Sequence, residues 1–250
     1  MNIEEAIGVQ MRTWGFSVNK IPESDENGEK RPDYEVTCDG YTFLVEVKSR
    51  EDDKNEIAEK RKVLEQGKIH GQHKALVRKN TLSSIIRDAC DQLKNYGSHD
   101  SFRIIWLCAI NEAQEAKFEQ FKAALYGKTQ MFDLDGDGFH RPCYFYRNSD
   151  FFRYRNILDA AIVSTLNKVE LCFNPFSLKD SEFKYSKFAL TFKDSICDPI
   201  KEESEGYAFL VDSDVDRNDE IAVMKYLCEK YNAPKLQKID LGWHSGSILI

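Results

Sequence analysis

The stretch FRIIWLCAI, residues 102–110, constrains the fold of this 250-residue chain more than any other. Past one arginine it is continuously apolar, which reads as a strand buried on both faces. A strand of that kind needs helices on both sides of its sheet, so the chain must supply amphipathic cover around it. The flanking sequence does so. In IEEAIGVQMRTWGF, Ile3, Ile7, Met11 and Trp14 recur at helical spacing, which predicts a first helix ending near Gly15. Leu82, Ile85, Ile86, Ala89, Leu93 and Tyr96 recur at three and four, with Gly97 placed to end that helix. EAQEAKFEQFKAALYG predicts a further helix after the apolar run, and DEIAVMKYLCEKYN one near the end.

Strands are expected at FSVNKI, at YEVTC and YTFLVEV on either side of the turn dipeptide Asp39-Gly40, and later at CYFYR, AAIVST and VELCFNPF. PESDENGEKR is a polar turn region, and residues 51–79 are charged and mostly helix-forming, a mobile or capping insertion. The order helix, three strands, helix, strand predicts an α/β fold with a mixed sheet flanked by helices. Past Phe176 the composition turns polar and acidic. This divides the chain into a domain over residues 1–176 and a C-terminal α/β extension over 177–250, which is either a small second lobe or part of the same domain.

An apolar content of 42% is enough for a well-buried core without staples. The seven cysteines are scattered, with no CxxC pair and an odd total, and read as reduced core residues of a cytoplasmic protein. No apolar run approaches the roughly 20 residues of a membrane span, and MNIEEAIGVQ has no signal-peptide pattern. The net charge of −7 argues against a protein that coats nucleic acid along its whole surface, but the mean conceals a division. Residues 60–87 carry eight Lys/Arg against one acid, and residues 194–220 carry ten acids against two bases. The first segment, with Lys60, Arg61, Lys62, Lys68, Lys74, Arg78 and Lys79, can grip a phosphate backbone, as can Arg50 just before it.

The chemistry concentrates in RPDYEVTCDGYTFLVEVKSR, residues 31–50. In its last ten residues the odd positions Tyr41, Phe43, Val45 and Val47 are apolar, while the even ones turn polar towards the end. Glu46 and Lys48 therefore share one face of an anchored strand, roughly 7 Å apart. The hairpin through Asp39-Gly40 brings Asp33 beside Glu46. Two carboxylates in close approach repel unless a positive charge lies between them. A hard divalent cation, Mg²⁺ or Mn²⁺, is the natural occupant, with Lys48 beside it to orient water and stabilise charge on a phosphate.

A Pro-Asp pair, a spacer of twelve residues and Glu-Val-Lys on an apolar strand, after an acidic first helix, resemble the PD-(D/E)xK nuclease superfamily. The resemblance covers roughly residues 1–110. It implies a restriction-endonuclease-like αβββαβ core, Asp33 and Glu46 as metal ligands with the Val47 carbonyl, and Lys48 as the catalytic lysine. It also makes Glu4 or Glu5 of the first helix an accessory acid. Gln92 and Tyr96 match the QxxxY spacing of an exonuclease-like branch, although nothing else here resembles that branch's helicase-linked members; Tyr96 fits the apolar stripe equally well. The family includes restriction, repair, recombination and phage-defence enzymes. DNA is thus the expected substrate, with RNA as the alternative, and a homodimer or a subunit of a larger complex is the expected assembly. A binding or partner-docking subunit with an inactive site is the reading from a different class.

Two rival motifs carry less. DLDGDGFHRPCY places Asp133, Asp135, Asp137 and Gly138 like the start of a calcium loop, but position twelve is Tyr144, so it reads as an Asp/Gly turn. His70 and His73 lie three apart with nothing to complete a zinc set. No P-loop, GxGxxG or GxSxG is present.

Overall fold

The computed structural model describes residues 2–22, 30–52, 54–111, 113–239 and 244–249. In chain order these form α1 (Ile3–Thr13), β1 (Ser17–Lys20), β2 (Tyr34–Cys38), β3 (Tyr41–Arg50), α2 (Lys54–Glu65), β4 (His70–Ala75), α3 (Asn80–Lys94) and β5 (Phe102–Ala109). There follow α4 (Gln114–Tyr126), β6 (Thr129–Asp133), β7 (His140–Tyr144), α5 (Asp150–Arg153), β8 (Ala160–Ser164) and β9 (Val169–Phe173). The chain continues through α6 (Asp180–Lys184), α7 (Lys187–Leu190), β10 (Ile196–Cys197), α8 (Pro199–Ser204), β11 (Phe209–Leu210), α9 (Glu220–Lys230), β12 (Leu236–Ile239) and β13 (His244–Leu249). Most of the turn region expected after Ile21, residues 23–29, lies outside the described residues.

The main sheet has seven strands in the order β1-β2-β3-β5-β8-β9-β10. It is mixed: β1, β2 and β3 are antiparallel, β3, β5 and β8 are parallel, and β9 runs antiparallel to β8. All eight residues of β5 are buried, as its composition requires. Alternation sends Ile105 and Leu107 to one face, where Leu82, Ile86 and Leu93 of α3 and Phe118, Phe121 and Leu125 of α4 cover them. Ile104 and Trp106 go to the other face, under Ile7 and Met11 of α1 and Phe183 and Phe188 of α6 and α7. The chain is therefore α/β, with a mixed sheet between two helical layers.

A four-stranded sheet, β11-β7-β6-β12, and a β13-β4 pair complete the described structure. Each of the three sheets takes at least one strand from residues 177–250: β10, then β11 and β12, then β13. The acidic segment is thus threaded through sheets begun in the first 176 residues. Local pattern missed β4, β6 and β10 to β13. HGQHKA has weak strand propensity, and its partner lies about 170 residues later. CYFYR is a strand only at its start, because Phe145 takes a left-handed backbone (φ +60°) that ends β7. Among the described residues no helix is long and apolar enough to cross a membrane. All seven cysteines are free, and six are buried.

Gly127 ends α4 at φ +58°, and its amide donates to the Ala123 carbonyl. A Cβ there would stand 2.3 Å from the Arg147 carbonyl and 2.7 Å from the Ser149 nitrogen, both backbone atoms that cannot yield. Left-handed strain alone costs about 1–2 kcal/mol for a residue with a Cβ. Gly127→Ala is therefore expected to lower stability by at least about 2 kcal/mol, read from the urea midpoint at unchanged slope.

Candidate active site

Asp39 and Gly40 both have positive φ (+53° and +83°), the geometry of a two-residue hairpin whose twist matches its strands. The turn fixes a register that runs from Cys38 opposite Tyr41 to Tyr34 opposite Val45. One further step sets Asp33 opposite Glu46. Asp33 is held there because its Oδ2 accepts the Val47 N–H at 2.7 Å.

Glu46 lies on the same side of β3 as Leu44, and α3 covers both. The even-numbered face, which turns polar in the sequence, is therefore buried as far as Glu46, which is only 1% exposed. Lys48, two residues on, is about a quarter exposed and turns its ammonium back onto Glu46 Oε1. From α3, the buried Gln92 reaches both: with its amide oriented to satisfy each contact, it donates to Glu46 Oε2 at 2.9 Å and accepts from Lys48 Nζ at 3.2 Å. Asp33, Glu46, Lys48 and Gln92 thus come together, drawn from the loop that enters β2, from β3 and from the last turn of the 15-residue α3.

The electrostatics follow from crowding. Burial, then the Asp33 charge beside it, push the Glu46 carboxyl up to about 8, against the pull of Lys48. Burial also raises Asp33, opposed by the Val47 N–H, while the charge of Glu4 adds to the rise. With its carboxyl raised this far, it is Glu46 that keeps a proton at neutral pH, beside the charge of Asp33. A pair that retains a proton in neutral solution is one that a divalent cation can take over. The donor set suits a hard ion, since Asp33 and Glu46 offer only oxygens. The Val47 carbonyl points to the same strand edge as its N–H, beyond the last β2–β3 pair. Mg²⁺ or Mn²⁺ fits these residues.

Of the two acids on α1, Glu5 closes the helix N-terminus by accepting the Asn2 N–H at 3.2 Å. Glu4 is the one whose charge reaches Asp33. The Tyr34 hydroxyl donates to the Glu4 carbonyl at 2.8 Å, and the Tyr34 ring occupies the space a Cβ on Gly8 would fill. Gly8 thereby lets α1 settle close to β2. Lys20, which the sequence did not single out, sits 3.5 Å from Glu4, and its ammonium is held above its ordinary value by that carboxylate. Tyr96 packs against the apolar core beneath α3. Gln92→Ala is accordingly expected to slow any reaction at this site by roughly 10–100-fold, the usual cost of losing a residue that orients metal-site groups. Tyr96→Phe should leave the rate within about twofold, and rates of both variants at saturating metal check this.

Beyond Lys48 the strand leads to a cavity of about 270 Å³ lined by Arg50, Lys74, Lys79 and Lys117, together with Glu51, Asp52 and Glu56. Lys117 is buried, pairs with Asp52 at 2.6 Å and donates to the Ile110 carbonyl at 2.6 Å. In the sequence it was one more charge on a helix. Of the predicted phosphate-binding residues, Arg50, Lys74 and Lys79 line this groove, although Lys74 also pairs with Glu56. Lys60, Arg61, Lys62, Lys68 and Arg78 do not line it; Lys68 donates to Gln66 and Arg78 to Asn80.

The Asp-rich loop joins β6 to β7 as a turn. Asp133 and Asp137 accept the backbone N–H groups of Asp135 and Phe139 at 3.1 Å, Arg141 pairs with Asp137, and Lys235 lies 3.0 Å from Asp135. His70 lies on β4, and the side chain of His73 is outside the described residues. Compared with family models, with curated proteins and with solved structures, the chain finds no match in any of the three, and its own site geometry carries the functional argument.

Proposed function

We propose that this chain is a metal-dependent nuclease of the PD-(D/E)xK superfamily, with a restriction-endonuclease-like fold, that hydrolyses phosphodiester bonds in DNA. The observation that carries the reading is the convergence of Asp33, Glu46 and Lys48 at one point of the sheet, with two carboxyls in mutual contact and a lysine against them. The order α1-β1-β2-β3 and then α3-β5, with α2 and β4 inserted, supports the same fold.

Asp33, Glu46 and the Val47 carbonyl would hold Mg²⁺ or Mn²⁺, which when bound supplies Lewis-acid stabilisation of charge on the phosphoryl group. The chain's own residues do the rest. Lys48, part exposed and steered by Glu46 and Gln92, presents an ammonium to the phosphate and donates a hydrogen bond to the attacking water. Glu46, once deprotonated, restrains Lys48 by charge as well as by position. Arg50 and Lys79, which line the neighbouring cavity, offer positive charge to adjacent phosphates and so affinity without reading sequence, while Lys74 and Lys117 there are paired with Glu56 and Asp52.

The test is to incubate the protein with matched single- and double-stranded DNA and RNA, with Mg²⁺, Mn²⁺ or chelator. Metal-dependent cleavage of DNA supports the reading. Cleavage of RNA alone moves the substrate, and binding without cleavage of any of the four substrates overturns the enzyme in favour of a binding subunit.

A further inference from the structure

We propose that Glu170, Cys172 and Cys197 form a binding site for one divalent cation of the Zn²⁺ class, separate from the Asp33–Glu46 pair and of different chemistry. Glu170 and Cys172 are two apart on β9, so they project from the same face. Cys197 is the register partner of Cys172 on the parallel neighbour β10. One carboxylate oxygen and both sulfurs lie within 4.8 Å of one another. Both cysteines are buried and free.

Both cysteines are free, so both sulfurs are available as ligands. Two thiolates sharing a tetrahedral ion at about 2.3 Å each have their sulfurs about 3.8 Å apart, so their side chains converge on the ion without strand movement. A further carboxylate, Glu202 Oε1, stands 3.8 Å from Cys197 Sγ on the helix that follows β10, and the Tyr144 hydroxyl lies 3.7 Å from the same sulfur.

The surroundings balance the charge. Lys122 pairs with Glu170 Oε1 at 2.5 Å, and Lys168 stands 3.6 Å from Oε2. Two thiolates, one carboxylate and a divalent ion sum to −1, which the Lys122 ammonium cancels. Hydrogen bonding of a ligating carboxylate by a second residue is the usual way such a ligand is oriented. Thiolate donors select soft or borderline ions, so Mg²⁺ has no claim on this site. The ion would pin β10, a two-residue edge strand, and the start of α8 to the main sheet.

The experiment titrates Co²⁺ into the reduced, metal-stripped full chain and follows thiolate-to-cobalt charge-transfer absorption in the near ultraviolet. One equivalent should saturate the band, Zn²⁺ should displace it and excess Mg²⁺ should not. Cys172→Ser and Cys197→Ser should each abolish it, while Cys228→Ser, at the half-buried cysteine on α9, should retain it. Glu170→Gln, which keeps both thiols, should weaken Co²⁺ binding at least about tenfold. The proposal is overturned by a folded wild type that gives no thiolate band, or by a band that survives both serine variants. It is independent of the nuclease reading, because an oxygen-only site produces no such absorption.

Discussion

Lys48→Ala is expected to lose about two to four orders of magnitude in cleavage rate while still folding and still taking up Mn²⁺. The size follows from what the ammonium does. A positioned proton donor contributes typically 10²–10⁴-fold, and removing a single charge-stabilising donor costs 10²–10³-fold. Folding should survive because Lys48 is about a quarter exposed and, among the described residues, its side chain is held by Glu46 and Gln92. Metal uptake should survive because the oxygen donors remain. Asp33→Ala makes the contrast: it removes a ligand and the acceptor of the Val47 N–H, so it should lose cleavage and Mn²⁺ binding together. Single-turnover rates combined with Mn²⁺ titration separate the two variants. A Lys48→Ala protein that cleaves within tenfold of wild type would remove lysine from the chemistry.

The second large effect is a linkage of stability, pH and metal at Glu46. Its carboxyl has an ordinary value of 4.5 and is raised to about 8 in the folded chain by burial and by Asp33. A raised carboxyl means that the folded state binds the proton more tightly than the unfolded state. Its stabilising contribution is complete below about pH 4.5 and is lost as pH rises through about 8. At about 1.36 kcal/mol per pH unit, the full loss is on the order of 5 kcal/mol. Metal-free Glu46→Gln should therefore match wild type at pH 5 and exceed it by a few kcal/mol at pH 8.5, in urea unfolding at both pH values. Mn²⁺ competes with the proton on Glu46, so it should raise the wild-type Tm more at pH 8.5 than at pH 6, and should barely move Glu46→Gln. Equal metal stabilisation at both pH values would contradict a proton held on Glu46 in competition with the metal.

What the sequence disclosed was set by how local the signal is. The β2–β3 hairpin was legible because Asp39-Gly40 sits between two strand patterns, and its register brings Asp33 up to Glu46, where the Val47 N–H holds it. The double-sided burial of β5 was legible from its apolar run. By contrast, β4 pairs with β13 and β6 with β12, partners about a hundred or more residues apart, which no local period encodes. Glu46 shows the same limit within the site: alternation placed it on the polar side of β3, and only the docking of α3 makes it a buried acid. Lys117 looked like any helical lysine until Asp52 and the Ile110 carbonyl folded around it. Glu4 and Glu5 were likewise indistinguishable in the sequence, whereas in the fold Glu5 is engaged in the helix cap and the charge of Glu4 reaches Asp33.

The most direct measurement is a time course of closed circular duplex DNA with wild type, Asp33→Ala and Lys48→Ala, each purified identically and assayed in Mg²⁺, Mn²⁺ and chelator. The account predicts nicked or linear product from wild type with metal only, and none from either variant. Cleavage of equal rate by all three proteins, or cleavage that persists in chelator, would contradict it.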